Sequence, residues 1–303
     1  MLKFTILLYG LLHSSLLHAS FNYKDLKRQY DQMVNEPYLL IPHKESYFLP
    51  LSYNDNPNHE PYEDIEQLSE YSERGEYTRH LESEFQISFM TLTNKNIFGT
   101  NFNTFLAYTH RSYWQLYNED WSRPFRETNY NPEVFARYVF DDPLEFLGFK
   151  FMVYDIGLEH ESNGQIQELS RSWNRVFGRA AILTGTTFLS LKVWYRLPEK
   201  ESLDDNPRIY QYKGYASLTA KTFVNSSMVQ LTLYPGTKYA GGELTYSAHW
   251  KNSIHFYTKI SYGYGISLQD FDNETRRIGI GISLGDFFQA SLKNQTPRNQ
   301  NEL

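Results

Sequence analysis

Alternation with a period of two, repeated over segments of about ten residues and broken by turns, restricts this chain most. Phe85, Ile87 and Phe89 alternate with Glu84, Gln86 and Ser88. Leu189, Leu191, Val193 and Tyr195 share one face. Leu244, Tyr246, Ala248 and Trp250 alternate with Glu243, Thr245, Ser247 and His249. Lys251-Asn252 then turns the chain into Ile254, Phe256, Thr258 and Ile260. Ile278, Ile280, Ile282 and Leu284 alternate with Gly279, Gly281 and Ser283, which predicts a crowded side behind the glycines. Residues 103–115, 149–162 and 173–182 are further strands, 135–140 a short one, and 214–224 and 228–234 a hairpin about Asn225-Ser226. Such a chain is all-β. It is a sandwich or lipocalin-like barrel in water, or a barrel in a membrane.

Composition and the N-terminus favour the membrane. The 303 residues include 25 Tyr, 21 Phe and 5 Trp, types that suit strands and membrane interfaces. No apolar run reaches the length of a spanning helix, but strands expose only alternate residues to lipid and escape that test. Lys3, the apolar run 4–12 and Leu17-His18-Ala19 read as a signal peptide over residues 1–19. Residues 20–45 are expected to be an exposed periplasmic segment with a loose helical pattern at Leu26, Tyr30 and Met33. Pro37, Pro42 and Pro50 argue against regular structure near 38–48, and 54–77 reads as a long acidic loop. The barrel is expected over 46–288, closed by Phe287 or Phe288, with a polar tail at 289–303. A net charge of −6 without a basic cluster offers nothing to nucleic acid. The absence of cysteine excludes disulfides, thiol catalysis and cysteine metal sites.

The chemistry is expected in residues 154–177. In a strand, His160 and Ser162 are neighbours on the face that carries Met152, Tyr154, Ile156 and Leu158. Val153, Asp155, Gly157, Glu159 and Glu161 face the other way. In a membrane barrel the His–Ser pair then sits at the rim of the lipid-facing wall. A serine hydroxyl needs a base to become a nucleophile, and imidazole is the usual one near neutral pH. Asn174, from another strand, can accept the ring N–H and hold the tautomer, though it brings no charge. Gly164 lets backbone N–H groups approach a developing oxyanion. Glu159 reads as an interior charge, Arg171 and Arg175 as partners of interior carboxylates, and Trp114, Trp173 and Trp194 as packing or interface aromatics.

H-x-S-N-G followed by S-R-S-W-N-R resembles the bacterial outer-membrane phospholipase A family. Ser122-Arg123-Pro124-Phe125-Arg126-Glu127-Thr128-Asn129-Tyr130, Tyr113-Trp114-Gln115-Leu116, Asp204-Asp205-Asn206-Pro207, Tyr239-Ala240-Gly241-Gly242-Glu243-Leu244 and Gly263-Tyr264-Gly265-Ile266-Ser267-Leu268 carry the likeness further, in family order. The resemblance implies a twelve-stranded antiparallel transmembrane β-barrel in the outer membrane of a Gram-negative bacterium. It implies hydrolysis of acyl esters of phospholipids and lysophospholipids, with Ca2+ and a homodimer. By the matched positions Ser162 is nucleophile, His160 base, Asn174 the orienting group and the Gly164 amide the oxyanion donor. Calcium would take the Ser170 hydroxyl, the Gln165 carbonyl and the carbonyl of Ser122 of the partner subunit.

The chain departs from the family at Gln165 (Arg in the family), Glu161 (Asp) and His110 (a Gln in the dimer contact). An Asp missing from the loop 165–169 leaves Glu168 and Asp205 as carboxylate candidates for the metal. The rival readings are a passive or structural barrel, in which Glu84, Gln86, Asp155, Glu159 and Glu161 line a pore, and a soluble secreted esterase.

Overall fold

The computed structural model describes residues 21–36, 39–224 and 227–285. The expected signal peptide, the Asn225-Ser226 turn, Phe287, Phe288 and the tail lie outside them. A helix, α1 (Tyr23–Met33), precedes the strands β1 (Ile41–Pro42), β2 (Ser46–Asn54), β3 (Leu81–Asn94), β4 (Phe102–Trp114), β5 (Phe125–Phe146) and β6 (Phe149–Ser162). Then come β7 (Ser172–Thr184), β8 (Thr187–Arg196), β9 (Ala216–Val224), β10 (Ser227–Pro235), β11 (Ala240–Lys251), β12 (Ile254–Gly263) and β13 (Thr275–Leu284). From β2 to β13 each strand pairs antiparallel with the next, and β13 returns to β2. The barrel is therefore closed with twelve staves, and β1 is a short piece set against β3 beyond the end of β2. Closure leaves no open edge for water or lipid to attack.

Pro50 lies inside β2, where the sequence reading expects irregular chain. It is tolerated because the pairings to β3 and β13 both shift register there. The short strand expected at 135–140 is the middle of the 22-residue β5. Pro132, which interrupts the apolar pattern, sits on its outer side. Gly279 and Gly281 are crowded as expected: a Cβ on Gly281 would come within 2.0 Å of the Phe48 carbonyl oxygen.

Alternation sorts the strands as the period predicts. Ile87, Leu106, Val134, Ile156, Leu158 and Ile280 are exposed on the outer wall, where lipid takes the place of a protein core. The lumen is a packed ionic network rather than a pore. Glu84 accepts from Tyr47, Arg111 and Lys259. Asp155 is held between Arg137 and Arg179. Glu159 pairs with Arg175 and Lys192, and Gln86 donates to the Glu45 carbonyl. Trp173 and Trp194 are buried within it, in line with the packing role.

Two features differ from the sequence reading. Met152 is buried in the lumen rather than facing outward, because the β6–β7 pairing slips between Phe151 and Val153 and turns it inward. The segment expected to be exposed before the barrel is helical at α1, but Tyr23, Leu26 and Tyr30 are buried. They pack against inward residues including Phe105, Phe135 and Phe188. The Asn103 amide donates to the Tyr30 hydroxyl at 3.0 Å and Phe21 N–H to the Gly185 carbonyl at 3.3 Å, so α1 sits in the mouth on the short-turn side. Between α1 and the middle of the network remains a cavity of about 500 Å³.

Candidate active site

The site lies at the opposite rim, where the connections are long. β6 ends at Ser162, the loop 163–171 follows, and β7 brings the chain back. His160 pairs with Asn174 and Ser162 with Ser172 across this hairpin. His160 Nδ1 is 2.9 Å from Asn174 Oδ1. His160 and Ser162 continue the row of Ile156 and Leu158 on β6, and Asn174 lies opposite His160 on β7, so the group is set into the lipid-facing wall. Gly164 N–H donates to Ser162 Oγ at 3.1 Å. Thus His160 meets Asn174 and Gly164 meets Ser162, while His160 and Ser162 stand two positions apart on one face of β6.

Residues given no catalytic or metal role by the sequence hold the loop. Asn163 is buried; its Oδ1 accepts from Gln165 N–H and Arg171 N–H, at 3.2 and 2.9 Å. Its Nδ2 donates to the Leu169 carbonyl and to Gln269 Oε1, both at 2.7 Å. Gln269 belongs to the β12–β13 loop, which folds over the lumen: Leu268 and Gln269 N–H both donate to Glu127 at 2.8 Å. The loop 163–171 is thereby tied to a cap on the barrel. An Asn before a Gly signals an Asx turn, and Asn163 is also the Asn of the H-x-S-N-G motif.

The β5 side is held by a substitution of donors. β5–β6 register runs from Tyr130↔Ser162 to Glu133↔Glu159, which sets Pro132 opposite His160. Proline has no N–H to give. The Asn131 side chain donates to the His160 carbonyl at 2.8 Å. Beneath the pair, Glu161 faces inward as expected, accepting from Trp173 Nε1 and Arg175 at 2.9 and 2.8 Å. Lys213 lies 3.7 Å from it, and burial pulls that ammonium below its ordinary pKa against the opposing pull of Glu161.

Gly164 has φ +65°, and a Cβ there would stand 2.9 Å from Tyr130 Cε2. Both the conformation and the space require glycine. Gly164→Ala is expected to push the amide away from Ser162 and, with that amide as the oxyanion donor the resemblance implies, to lower kcat for ester hydrolysis by about 100-fold. An unchanged kcat would remove Gly164 from the site.

The candidate metal residues are only partly assembled in one chain. Ser170 Oγ donates to Asp205 Oδ2 at 2.6 Å, and Ser172 Oγ lies 3.4 Å from the same oxygen. Glu168 offers its carbonyl to Arg171, which binds the Glu168 and Ser170 carbonyls at 2.7 Å. Arg171 therefore does not pair with an interior carboxylate as the sequence suggests, whereas Arg175 does. Ser122 sits in the β4–β5 turn on the same rim, with Ser122 and Arg123 both left-handed at φ 58° and 55°. Among the described residues no three His, Asp or Glu side chains converge on one point. His110 faces outward, its ring nitrogens 3.3 Å from the Tyr108 hydroxyl and 3.0 Å from Ser112 Oγ.

A closed barrel with an apolar outer wall, an ion-paired lumen and a cluster of polar groups at its rim defines a membrane barrel whose polar site lies on its lipid-facing rim. The chain belongs to the phospholipase A1 family, whose model matches residues 24–284. It is 33% identical to phospholipase A1 of Klebsiella pneumoniae over 256 residues, covering 84% of this chain and 85% of that protein. With phospholipase A1 of Escherichia coli K12 the identity is 32%, over 84% of each chain. Among solved structures, outer membrane phospholipase A from Escherichia coli superposes with a TM-score of 0.73 at 30% identity, over 82% of this chain and 99% of that one. The calcium-bound dimer of the Salmonella typhi outer membrane phospholipase gives 0.75 at 29%, over 85% and 97%. The protein is a phospholipase of the outer membrane of a Gram-negative bacterium.

Proposed function

We propose that the protein hydrolyses acyl esters of phospholipids and lysophospholipids through a Ser162–His160–Asn174 triad, as a calcium-dependent homodimer. The observation that carries this reading is the 2.9 Å contact of His160 Nδ1 with Asn174 Oδ1 on the outer face of the barrel. With Nδ1–H donated to Asn174, the Nε2 lone pair is left to serve as base. His160 takes the Ser162 proton as Oγ attacks the ester carbonyl. The carbonyl electrons move to oxygen, and Gly164 N–H stabilises that charge. His160 returns the proton to the leaving alcohol, which departs as the lysolipid. A water, deprotonated by His160, then attacks the acyl-Ser162 ester; the fatty acid leaves and Oγ recovers its proton.

The donor set fits calcium. Ser170, Ser172, Asp205 and the Gln165 and Ser122 carbonyls are all hard oxygens, and such ligands suit Ca2+. Asp205, which accepts from Ser170 and Ser172, is the carboxylate placed among them. The Ser122 carbonyl of the partner subunit would add a further neutral oxygen ligand, and the site would then depend on dimerisation. When bound, the cation would add electrostatic stabilisation of the oxyanion.

The test is acyl release from mixed micelles by the refolded protein. Chelation with EDTA is expected to abolish release and added Ca2+ to restore it. Asp205→Asn should raise the calcium needed for half-maximal activity about tenfold, the equivalent of ~1.4 kcal/mol. Release indifferent to EDTA, in a sample shown dimeric by cross-linking, would refute the metal.

A further inference from the structure

We infer that Glu199 is a positioning residue for the reaction, the outermost member of a Ser162–His160–Asn174–Glu199 relay. The inference rests on the triad reading above and extends it by one group. Asn174 Nδ2 donates to Glu199 Oε1 at 3.2 Å, while Asn174 Oδ1 meets His160 at 2.9 Å. Glu199 lies just past the end of β8, after Leu197-Pro198. The chain is fixed there because Leu197 N–H donates to the Asn174 carbonyl at 2.8 Å. Arg196 stands 3.8 Å from the other Glu199 oxygen, and Arg196 is itself held by Asp204 and Asn206. Glu199 is mostly shielded, its side chain 19% exposed.

The chemistry follows from what each group can donate. A carboxamide has nearly the same shape either way round, so packing alone does not choose which end faces the imidazole. If Nδ2 faced His160, Nδ1 would have to accept and the proton would sit on Nε2. The base would then be blocked. A carboxylate only accepts. Glu199 can therefore bind only the Nδ2 end, and this turns Oδ1 to His160 and leaves Nε2 free for Ser162. Its charge also polarises the amide and supplies, one group removed, the negative charge an Asn-oriented triad lacks.

Glu199→Gln and Glu199→Leu grade the two contributions. Gln can still accept from Nδ2 but carries no charge and, able to donate as well, no longer forces the Asn174 amide; Leu neither accepts nor carries charge. In the full-length refolded protein on micellar phospholipid, Glu199→Gln is expected to lower kcat about fivefold and Glu199→Leu about 50-fold, within the range of general-base effects. KM should hold. The acidic limb of kcat/KM against pH should move to lower pH in both, because removing a negative charge disfavours the imidazolium. In an Asn174→Asp background the sign should invert: Glu199→Gln should raise activity, since two facing carboxylates repel and a Gln amide can donate to Asp. A merely structural Glu199 would lower activity by the same factor in both backgrounds and leave the acidic limb in place. Either result overturns the relay. Ser162→Ala is run beside them: activity surviving there overturns triad and relay together, whereas its loss with Glu199 variants at full activity overturns the relay alone.

Discussion

Ser162→Ala is expected to reduce acyl release by about 10⁵- to 10⁶-fold, the scale seen when a serine nucleophile is removed from a triad. The barrel should remain intact, because among the described residues Ser162 Oγ bonds the Gly164 amide at the rim and no lumen group. Heat-modifiable migration on gels checks the fold, and fatty-acid release from micelles checks the chemistry. The position explains why the effect should be so complete. His160 and Ser162 share the lipid side of β6 at the rim, and without the Ser162 hydroxyl no acyl-enzyme forms there. Release that persists in the Ala variant would mean that another nucleophile acts and that the arrangement around His160 has a different purpose.

Glu82→Ala is expected to destabilise the barrel by about 3–5 kcal/mol, the cost of removing one partner from a buried ionic cluster. Glu82 is buried beneath the loop end of the barrel, where it binds Arg126 at 3.1 Å, Gln115 Nε2 at 2.8 Å and Arg277. Without it Arg126 retains Asp270 at 2.6 Å, but Arg277 is left with the Ser52 hydroxyl at 3.3 Å. Its charge then loses its direct carboxylate partner and keeps the Tyr113 ring and the more distant Glu84. The cavity of about 500 Å³ lies elsewhere in the lumen and does not touch Glu82, Arg126 or Arg277, so water has no ready route to replace the lost carboxylate. Glu82→Gln should cost less, because it keeps the shape and one acceptor. Urea midpoints in detergent micelles give the comparison. A loss below ~1 kcal/mol would mean that the remaining groups re-pair and that the network is not cooperative.

The ionic lumen also explains how this fold differs from a channel. In lipid the outer wall gains nothing by being apolar except compatibility, and the specific contacts must come from inside. Arg175 is shared between Glu159 and Glu161, and its guanidinium lies 3.7 Å over the Trp173 ring. The same Glu161 lies between His160 and Ser162 in the chain and anchors β6 from within. The network thereby stiffens the strand that carries the site on its other face.

Local periodicity carried much of this. A strand shows alternate residues to opposite sides whatever its neighbours do, so the outer position of His160 and Ser162, the inner position of Asp155, Glu159 and Glu161, and the crowding at Gly279 and Gly281 were all readable from spacing. The motif around residues 160–174 likewise marks its own hairpin, because both strands lie close in the chain. What tertiary structure alone decided depends on register and closure, which no local pattern records. Met152 turned inward at a slip in pairing. α1 entered the barrel mouth because closure created an apolar opening that Tyr23, Leu26 and Tyr30 could fill. Gln269 reaches Asn163 from 106 positions away, and Glu199 reaches Asn174 across the strand pair that β8 completes. A carboxylate after Leu-Pro has no signature as a partner of a histidine's partner; only the folded sheet sets it 3.2 Å from the amide it turns.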